Sequence, residues 1–187
     1  MPPRKPRREL PPLDGQGLNS LALRYVERFA TTRAKLAAYL DRKLRERGWS
    51  GGGAADTRAL ADRFAERGYV DDSGYALTKA RSLSARGYGK RRLADALRVA
   101  GVDEPDSAAA RDHANEESIE AAIRFARRRR IGPFATGEDV PPQARDKAIG
   151  AMVRAGHDFA LARAIAAMEP DADADCDVLA EALREIR

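Results

Sequence analysis

The side chains best suited to catalysis or metal binding are scattered along this sequence and form no recognisable motif. The two histidines, His113 and His157, are far apart, and no glycine-rich loop follows a predicted strand as a phosphate-binding loop would. Asp71 and Asp72 could suggest an acid pair, but adjacent aspartates before a helix more often accept amide hydrogens of its first turn. The sequence therefore predicts no enzyme active site, no metal site and no cofactor.

Basic side chains are the remaining candidates for a functional site, because they recur on the polar sides of predicted helices, where they could contact a partner. The candidate contact residues fall into three groups: Arg33, Lys35 and Arg42; Arg86, Lys90, Arg91, Arg92 and Arg98; and Arg124, Arg127, Arg128, Arg129 and Arg130. Arginine forms forked contacts with both carboxylates and phosphates, so an acidic protein surface or a nucleic acid would suit these groups. The alternative is that each group is an ordinary solvated helix surface. No aromatic residues are interleaved with them in the pattern expected for stacking on single-stranded bases.

Composition favours a helical protein in contact with an anionic partner. Of 187 residues, 6% are aromatic and 34% are charged, and the net charge is +5. Few aromatic residues and abundant alanine, leucine and arginine favour closely packed small helices over a β-sandwich. The single cysteine, Cys176, cannot form an internal disulfide, and no apolar run has the length of a signal peptide or membrane span. We expect a cytoplasmic, monomeric protein that does not enter membranes.

Glycines and helix-capping residues divide the chain into helices. Residues 1–16 are basic and proline-rich, which predicts a disordered arm. The boundaries then predict a first helical repeat at 17–70, a second at 71–114, a third at 115–169, and an acidic linker with a short C-terminal helix at 170–187. Phe29 is assigned to the apolar stripe of the first helix.

Three segments support an internal repeat. TTRAKLAAYLDRKLRERG, GYGKRRLADALRVAG and PQARDKAIGAMVRAG each carry a basic residue, apolar positions four apart and a closing glycine. Units of this kind at a spacing of roughly fifty residues are typical of tandem helical modules. The alternative is that alanine-rich amphipathic helices resemble one another without a common origin.

Two motifs, in this order and spacing, resemble the RecX family of regulatory proteins. The first is GYVDD followed by Tyr75 and Ala76, and the second is the glycine–aromatic–basic segment from Gly87 to Arg92. The resemblance covers roughly residues 18–168. It implies an all-α, elongated and curved array of three tandem three-helix repeats. It further implies a protein that binds the RecA recombinase filament on DNA and restrains its ATPase and strand-exchange activities.

The residues and the resemblance together predict a regulator without enzymatic activity. We expect it to contact the RecA filament through arginines on successive modules. Single- or double-stranded DNA is a possible further partner. Weak contacts repeated along a filament would add up to firm binding. A sequence-independent DNA-binding protein without a recombinase partner is the alternative, and a purely structural helical scaffold is a second one.

Overall fold

The computed structural model describes residues 10–137 and 140–185, and these residues form ten α-helices, one 3-10 helix and no strand. This confirms the predicted all-α class. The helices are α1 Gly15–Val26, α2 Arg33–Arg47, α3 Thr57–Glu66, α4 Asp72–Ala85, α5 Lys90–Ala100, α6 Glu104–Glu116, α7 Ser118–Arg129, the 3-10 helix Gly132–Phe134, α8 Pro142–Arg154, α9 Phe159–Ala167 and α10 Cys176–Glu185.

Short polar side chains fix where the first three helices begin. Asp14 accepts a hydrogen bond from the amide of Gly17 at 2.7 Å, and Asp56 accepts one from Ala59 at 2.8 Å. The hydroxyl of Thr32 accepts one from the amide of Lys35 at 3.2 Å. Each bond satisfies an amide that has no partner within its own helix. Asp14, Thr32 and Asp56 are thus the N-caps of α1, α2 and α3.

The described residues fall into two compact units, the first ending at Asp72 and the second beginning at Ser73. In the first, α1, α2 and α3 enclose one apolar core. Leu36 and Leu40 are completely buried there, as their spacing of four on one helix face predicts. The remaining buried members of this core are Leu13, Leu18, Ala22, Ala37, Leu60, Ala61, Phe64 and Val70.

The last part of the predicted arm, residues 10–16, differs from the expectation, whereas residues 1–9 lie outside the described residues. Leu13 is 1% exposed within the first core. Its amide donates to the carbonyl of Gly48 at 3.0 Å, and its carbonyl accepts from Ser50 at 2.9 Å. Burial of one leucine and two backbone bonds hold this segment on the folded unit, despite its prolines.

Asp72 does not act as the predicted cap of the helix that it begins. Asp72 is 5% exposed, and its carboxylate accepts hydrogen bonds from the backbone amide of Arg33 at 2.9 Å and from the Nε of Arg33 at 3.1 Å. Arg33 is the first residue of α2, so the carboxylate lies at the positive end of that helix and neutralises it. A contact between residues this far apart in sequence cannot be inferred from local spacing.

The second unit contains two apolar clusters. One lies among α4, α5 and α6 and is centred on Ala76, Ala80, Leu93, Leu97 and Ala110. The other is formed by residues from Ile119 to Leu183 and includes Ala180 and Leu183 of α10. The C-terminal helix is thus packed on the unit through its apolar side. The predicted division into three repeats stays a prediction.

In the described part of the chain, no helix is long and apolar enough to cross a membrane.

Candidate functional site

The glycine–aromatic–basic segment 87–92 is fixed to residues 155–158 by backbone hydrogen bonds. The amide of Gly89 donates to the carbonyl of Ala155 at 3.0 Å, and the amide of Arg91 donates to the carbonyl of Gly156 at 3.1 Å. These two bonds join the start of α5 to the turn between α8 and α9. We call this contact the backbone clasp. It positions the basic residues of 90–92 relative to the rest of the second unit.

The clasp requires glycine on both sides. A Cβ atom on Gly89 would lie 2.3 Å from the carbonyl carbon and oxygen of Gly156. A Cβ atom on Gly156 would lie 2.5 Å from the amide nitrogen of Arg92, and Gly156 also has a φ of +98°, which favours glycine. Contacts at such distances involve backbone atoms that cannot rotate away. The two segments can therefore approach this closely only without side chains.

His157 lies under the clasp and is 1% exposed. Its Nε2 is 3.1 Å from the carbonyl oxygen of Gly87, its ring centroid is 5.5 Å from that of Phe125, and its Nδ1 has no hydrogen-bond partner. Burial lowers the pKa of His157 below its ordinary value of 6.5, and the bond to Gly87 and the charge of Asp158 only partly offset this effect. The neutral ring therefore donates from Nε2–H to Gly87.

Asp158 anchors two of the predicted basic residues. The ammonium of Lys90 is 2.9 Å from one carboxylate oxygen, and the guanidinium of Arg91 is 3.6 Å from the other. The side chain of Lys90 is 35% exposed and that of Arg91 is 60% exposed. Lys90 thus serves chiefly to hold the clasp, whereas most of Arg91 faces solvent.

Two arginines flank the aromatic ring of the same segment. The guanidinium carbon of Arg86 lies 5.2 Å from the ring centroid of Tyr88, and that of Arg92 lies 5.8 Å from it. Both arginines are exposed. Distances of this size allow attraction between each cation and the electron-rich ring face, which limits the directions the side chains adopt.

Two arginines at the end of α7 are held in the same way. Arg128 and Arg129 lie 5.4 and 5.9 Å from the ring centroid of Phe125. Arg128 also donates to the backbone carbonyl of Arg86 at 2.5 Å, which brings the two pairs together. Together, Arg86, Arg92, Arg128 and Arg129 are called the arginine cluster below. All four are exposed, so the cluster is an ordered cationic surface suited to forked contacts with carboxylates or phosphates.

The other predicted residues of α7 border this cluster or support it. Arg124 donates to the carbonyl of Ser84 at 3.2 Å and pairs with Glu117 at 2.6 Å, so it braces α7. Arg127 approaches the sulfur of Cys176 at 3.9 Å. Arg130 ends the helix with a φ of 54°, in the left-handed region.

The remaining predicted residues are not among the four arginines of the cluster. Arg98 pairs with Asp95 at 3.0 Å on its own helix. Arg33, Lys35 and Arg42 belong to the first unit, where Arg33 binds Asp72 and Arg42 lies 5.5 Å from the ring of Tyr39. Contact of these residues with a partner stays a prediction.

The absence of aromatic residues in a pattern for stacking on single-stranded bases stays a prediction, but two aromatic rings do lie against these arginines. Tyr88 and Phe125 each contact two arginines. Phe125 reads in the sequence as one more apolar residue of α7, and its arginine contacts come from the following turn of the same helix. These contacts could have been predicted from helix geometry, because Arg128 and Arg129 follow Phe125 by three and four residues and residues at that spacing share a helix face.

Across the described ranges, no group of three or more histidine, cysteine or acidic residues is placed to hold a metal ion. The functional groups of this site are the guanidinium groups of the arginine cluster, and groups of this kind bind anions.

Comparison with known proteins adds relatives over nearly the whole chain. The chain is 34% identical over 177 residues to Regulatory protein RecX of Myxococcus xanthus, covering 90% of this chain and 91% of the relative. It is 32% identical over 169 residues to Regulatory protein RecX of Agrobacterium fabrum, covering 88% of each chain. No family model matches.

A solved structure shares the fold. The crystal structure of RecX from Lactobacillus salivarius matches with a TM-score of 0.63 and 14% identity, over 91% of this chain and 96% of that one. At this identity the match concerns the fold alone.

Proposed function

Since the chain belongs to the RecX family of regulatory proteins, we propose that it binds the RecA recombinase filament on DNA and inhibits its ATPase and strand-exchange activities. The arginine cluster is the proposed contact surface. It would bind carboxylates on successive filament protomers, phosphates of the filament's DNA, or both.

The observation that supports this surface most strongly is its order. Four exposed arginines are directed by two aromatic rings and by a bond between Arg128 and the carbonyl of Arg86. Arginines already held in place lose less conformational freedom when they bind than mobile ones do, so more of the contact energy appears as affinity. The backbone clasp provides the rigid base, because it fixes 87–92 to the turn before α9.

A filament is a suitable partner for a surface of this kind. It repeats the same acidic and phosphate groups along its length, so several weak contacts act at once and strengthen binding without any one being strong. Such binding would let a regulator without enzymatic activity of its own slow hydrolysis, by restraining the movement of adjacent protomers.

The test is charge reversal within the cluster. The variant Arg92→Glu/Arg129→Glu changes two exposed side chains, each of which lies against an aromatic ring. The protein concentration that halves the RecA ATPase on single-stranded DNA should rise about tenfold or more, since a loss of about 1.4 kcal/mol is already a factor of ten. The circular dichroism spectrum should be unchanged.

A matched control carries the same change of net charge elsewhere in the same unit. Arg81 and Arg163 are exposed and lie outside the arginine cluster. The variant Arg81→Glu/Arg163→Glu should inhibit as the original protein does. Equal weakening by both double variants would mean that net charge alone matters, and the assignment of the site would be wrong.

The same assay separates the alternative function. A DNA-binding protein without a recombinase partner would bind bare DNA with steep salt dependence and leave ATP hydrolysis unchanged when DNA is in excess.

A further inference from the structure

Three aromatic rings form a row on the first unit. Tyr25 of α1 and Tyr39 of α2 are stacked, with ring centroids 4.2 Å apart and an angle of 18° between their planes. Phe29, which follows α1, extends the row, with its centroid 5.3 Å from that of Tyr25. Tyr25 is the middle ring of the row. Phe29, at one end, lies in the connection between α1 and α2.

Cations lie at both ends of this row. The guanidinium of Arg28 is 5.6 Å from the centroid of Phe29. At the other end, Arg42 and Lys43 lie 5.5 and 5.9 Å from the centroid of Tyr39. Glu46 pairs with both Arg42 and Lys43 and neutralises part of their charge. Arg28, Arg42 and Lys43 therefore place cations beside both ends of the row.

Phe29 is the exposed end of the row, and its assignment to the buried stripe of the first helix is wrong. The side chain is 52% exposed because α1 ends at Val26 and the chain turns before Phe29. A large apolar ring left in solvent lowers its free energy if another flat apolar surface covers it.

We propose that this row, with Arg28, Arg42 and Lys43, is a base-stacking site for single-stranded DNA, in which one base stacks on Phe29 and the cations contact the neighbouring phosphates. Aromatic rings beside basic side chains are the arrangement that binds single strands without reading sequence. A duplex does not fit equally well, because its bases are already stacked within the helix. The stacking site belongs to the first unit and the arginine cluster to the second, and the stacking site needs no recombinase. Only the choice of DNA over RNA rests on the proposed function.

The experiment compares two fluorescent strands of equal length and charge in binding to the full chain, a dT20 strand and a fully abasic strand. Phosphate contacts are common to both, so a difference between them reports the bases. The original protein should bind dT20 several-fold more tightly. Phe29→Ala should weaken binding of dT20 by roughly fivefold to 100-fold and leave binding of the abasic strand unchanged.

Salt dependence separates the roles of ring and cation. Phe29→Ala should leave the slope of log affinity against log salt unchanged, whereas Arg28→Gln should reduce it by about one contact.

Two controls keep the test decisive if Phe29→Ala perturbs the fold. Phe29→Leu keeps apolar volume against Tyr25 but removes the flat ring, and it should lose affinity for dT20 in the same way. Tyr69→Ala removes an aromatic ring that is 53% exposed on the same unit, and none of the cation–ring contacts among the described residues involves it. That variant should bind dT20 normally.

Equal binding of dT20 and the abasic strand by the original protein would overturn the proposal, as would full affinity in a folded Phe29→Leu variant. Tighter binding of rU20 than of dT20 would overturn the assignment to DNA. None of these outcomes depends on inhibition of RecA, so failure here and failure of the proposed function are distinguishable.

Discussion

Replacing Gly89 with alanine tests the backbone clasp on which the arrangement of the arginine cluster depends. The added methyl group would lie 2.3 Å from the carbonyl of Gly156, far inside normal contact distance. Because the obstructing atoms are backbone, the two segments must separate. Their separation stretches the bonds from Gly89 to Ala155 and from Arg91 to Gly156, which are 3.0 and 3.1 Å long.

The magnitude follows from these two effects. Overpacking by one methyl group costs roughly 1–3 kcal/mol, and each weakened hydrogen bond costs about 1 kcal/mol at most when water replaces the partner. We expect the free energy of unfolding of the second unit to fall by about 2–4 kcal/mol. For a unit of this size, that lowers Tm by roughly 10 °C.

The assay is urea and thermal unfolding followed by circular dichroism, with the ATPase assay run below the transition. The control is Gly150→Ala on α8 of the same unit. A Cβ atom there meets only the mobile end of Arg154 at 3.2 Å, so the substitution should stabilise the helix by about 0.5–1 kcal/mol. A Gly89→Ala protein that unfolds at the original urea midpoint with the same slope would refute the reasoning.

Three further predictions concern other parts of the fold. Leu93→Asp should abolish cooperative unfolding of the second unit, because it places an unpaired charge at a position that is 2% exposed; a near-original melting curve would contradict this. Asp72→Ala should destabilise the first unit by about 1–3 kcal/mol in urea unfolding, since the amide of Arg33 and its side chain lose their shared acceptor; Asp72→Asn, which keeps one acceptor oxygen, should lose less. The free energy of unfolding should fall as pH decreases below about 6.5, because burial lowers the pKa of His157 in the folded protein and the unfolded chain then binds the proton more tightly. Urea midpoints measured from roughly pH 7 to pH 5 should show this fall. The part due to His157 should be missing in His157→Gln.

Local periodicity was enough to predict the class of fold and much of the core. Leu36 and Leu40, and likewise Leu93 and Leu97, are buried as their spacing of four indicates. The caps at Thr32 and Asp56 were predictable for the same reason, since a cap and the amide that it binds lie three residues apart.

Contacts between distant residues could not be predicted in this way. Asp72 has the residue type and position of a local cap, yet its carboxylate binds Arg33 on another helix. The closeness of Gly89 and Gly156 depends on how two turns meet. Phe29 fits the apolar stripe of α1 by spacing, but the helix ends before reaching it.

Only part of the candidate site could be predicted from the sequence. The basic residue types indicated an anionic partner, and residues 86–92 and 124–130 do meet through Arg128 and the carbonyl of Arg86. Arg98, by contrast, pairs with Asp95 on its own helix. The two aromatic rings that orient the arginines are uncharged, so a search for clusters of charge does not find them.

The most direct test of the central claim is steady-state ATP hydrolysis by RecA on single-stranded DNA, with this protein titrated in. Inhibition is expected at amounts well below one molecule per RecA protomer, because under the proposed function one regulator would contact several protomers at once. Unchanged hydrolysis at equimolar folded protein, with firm binding to bare DNA in the same buffer, would contradict it.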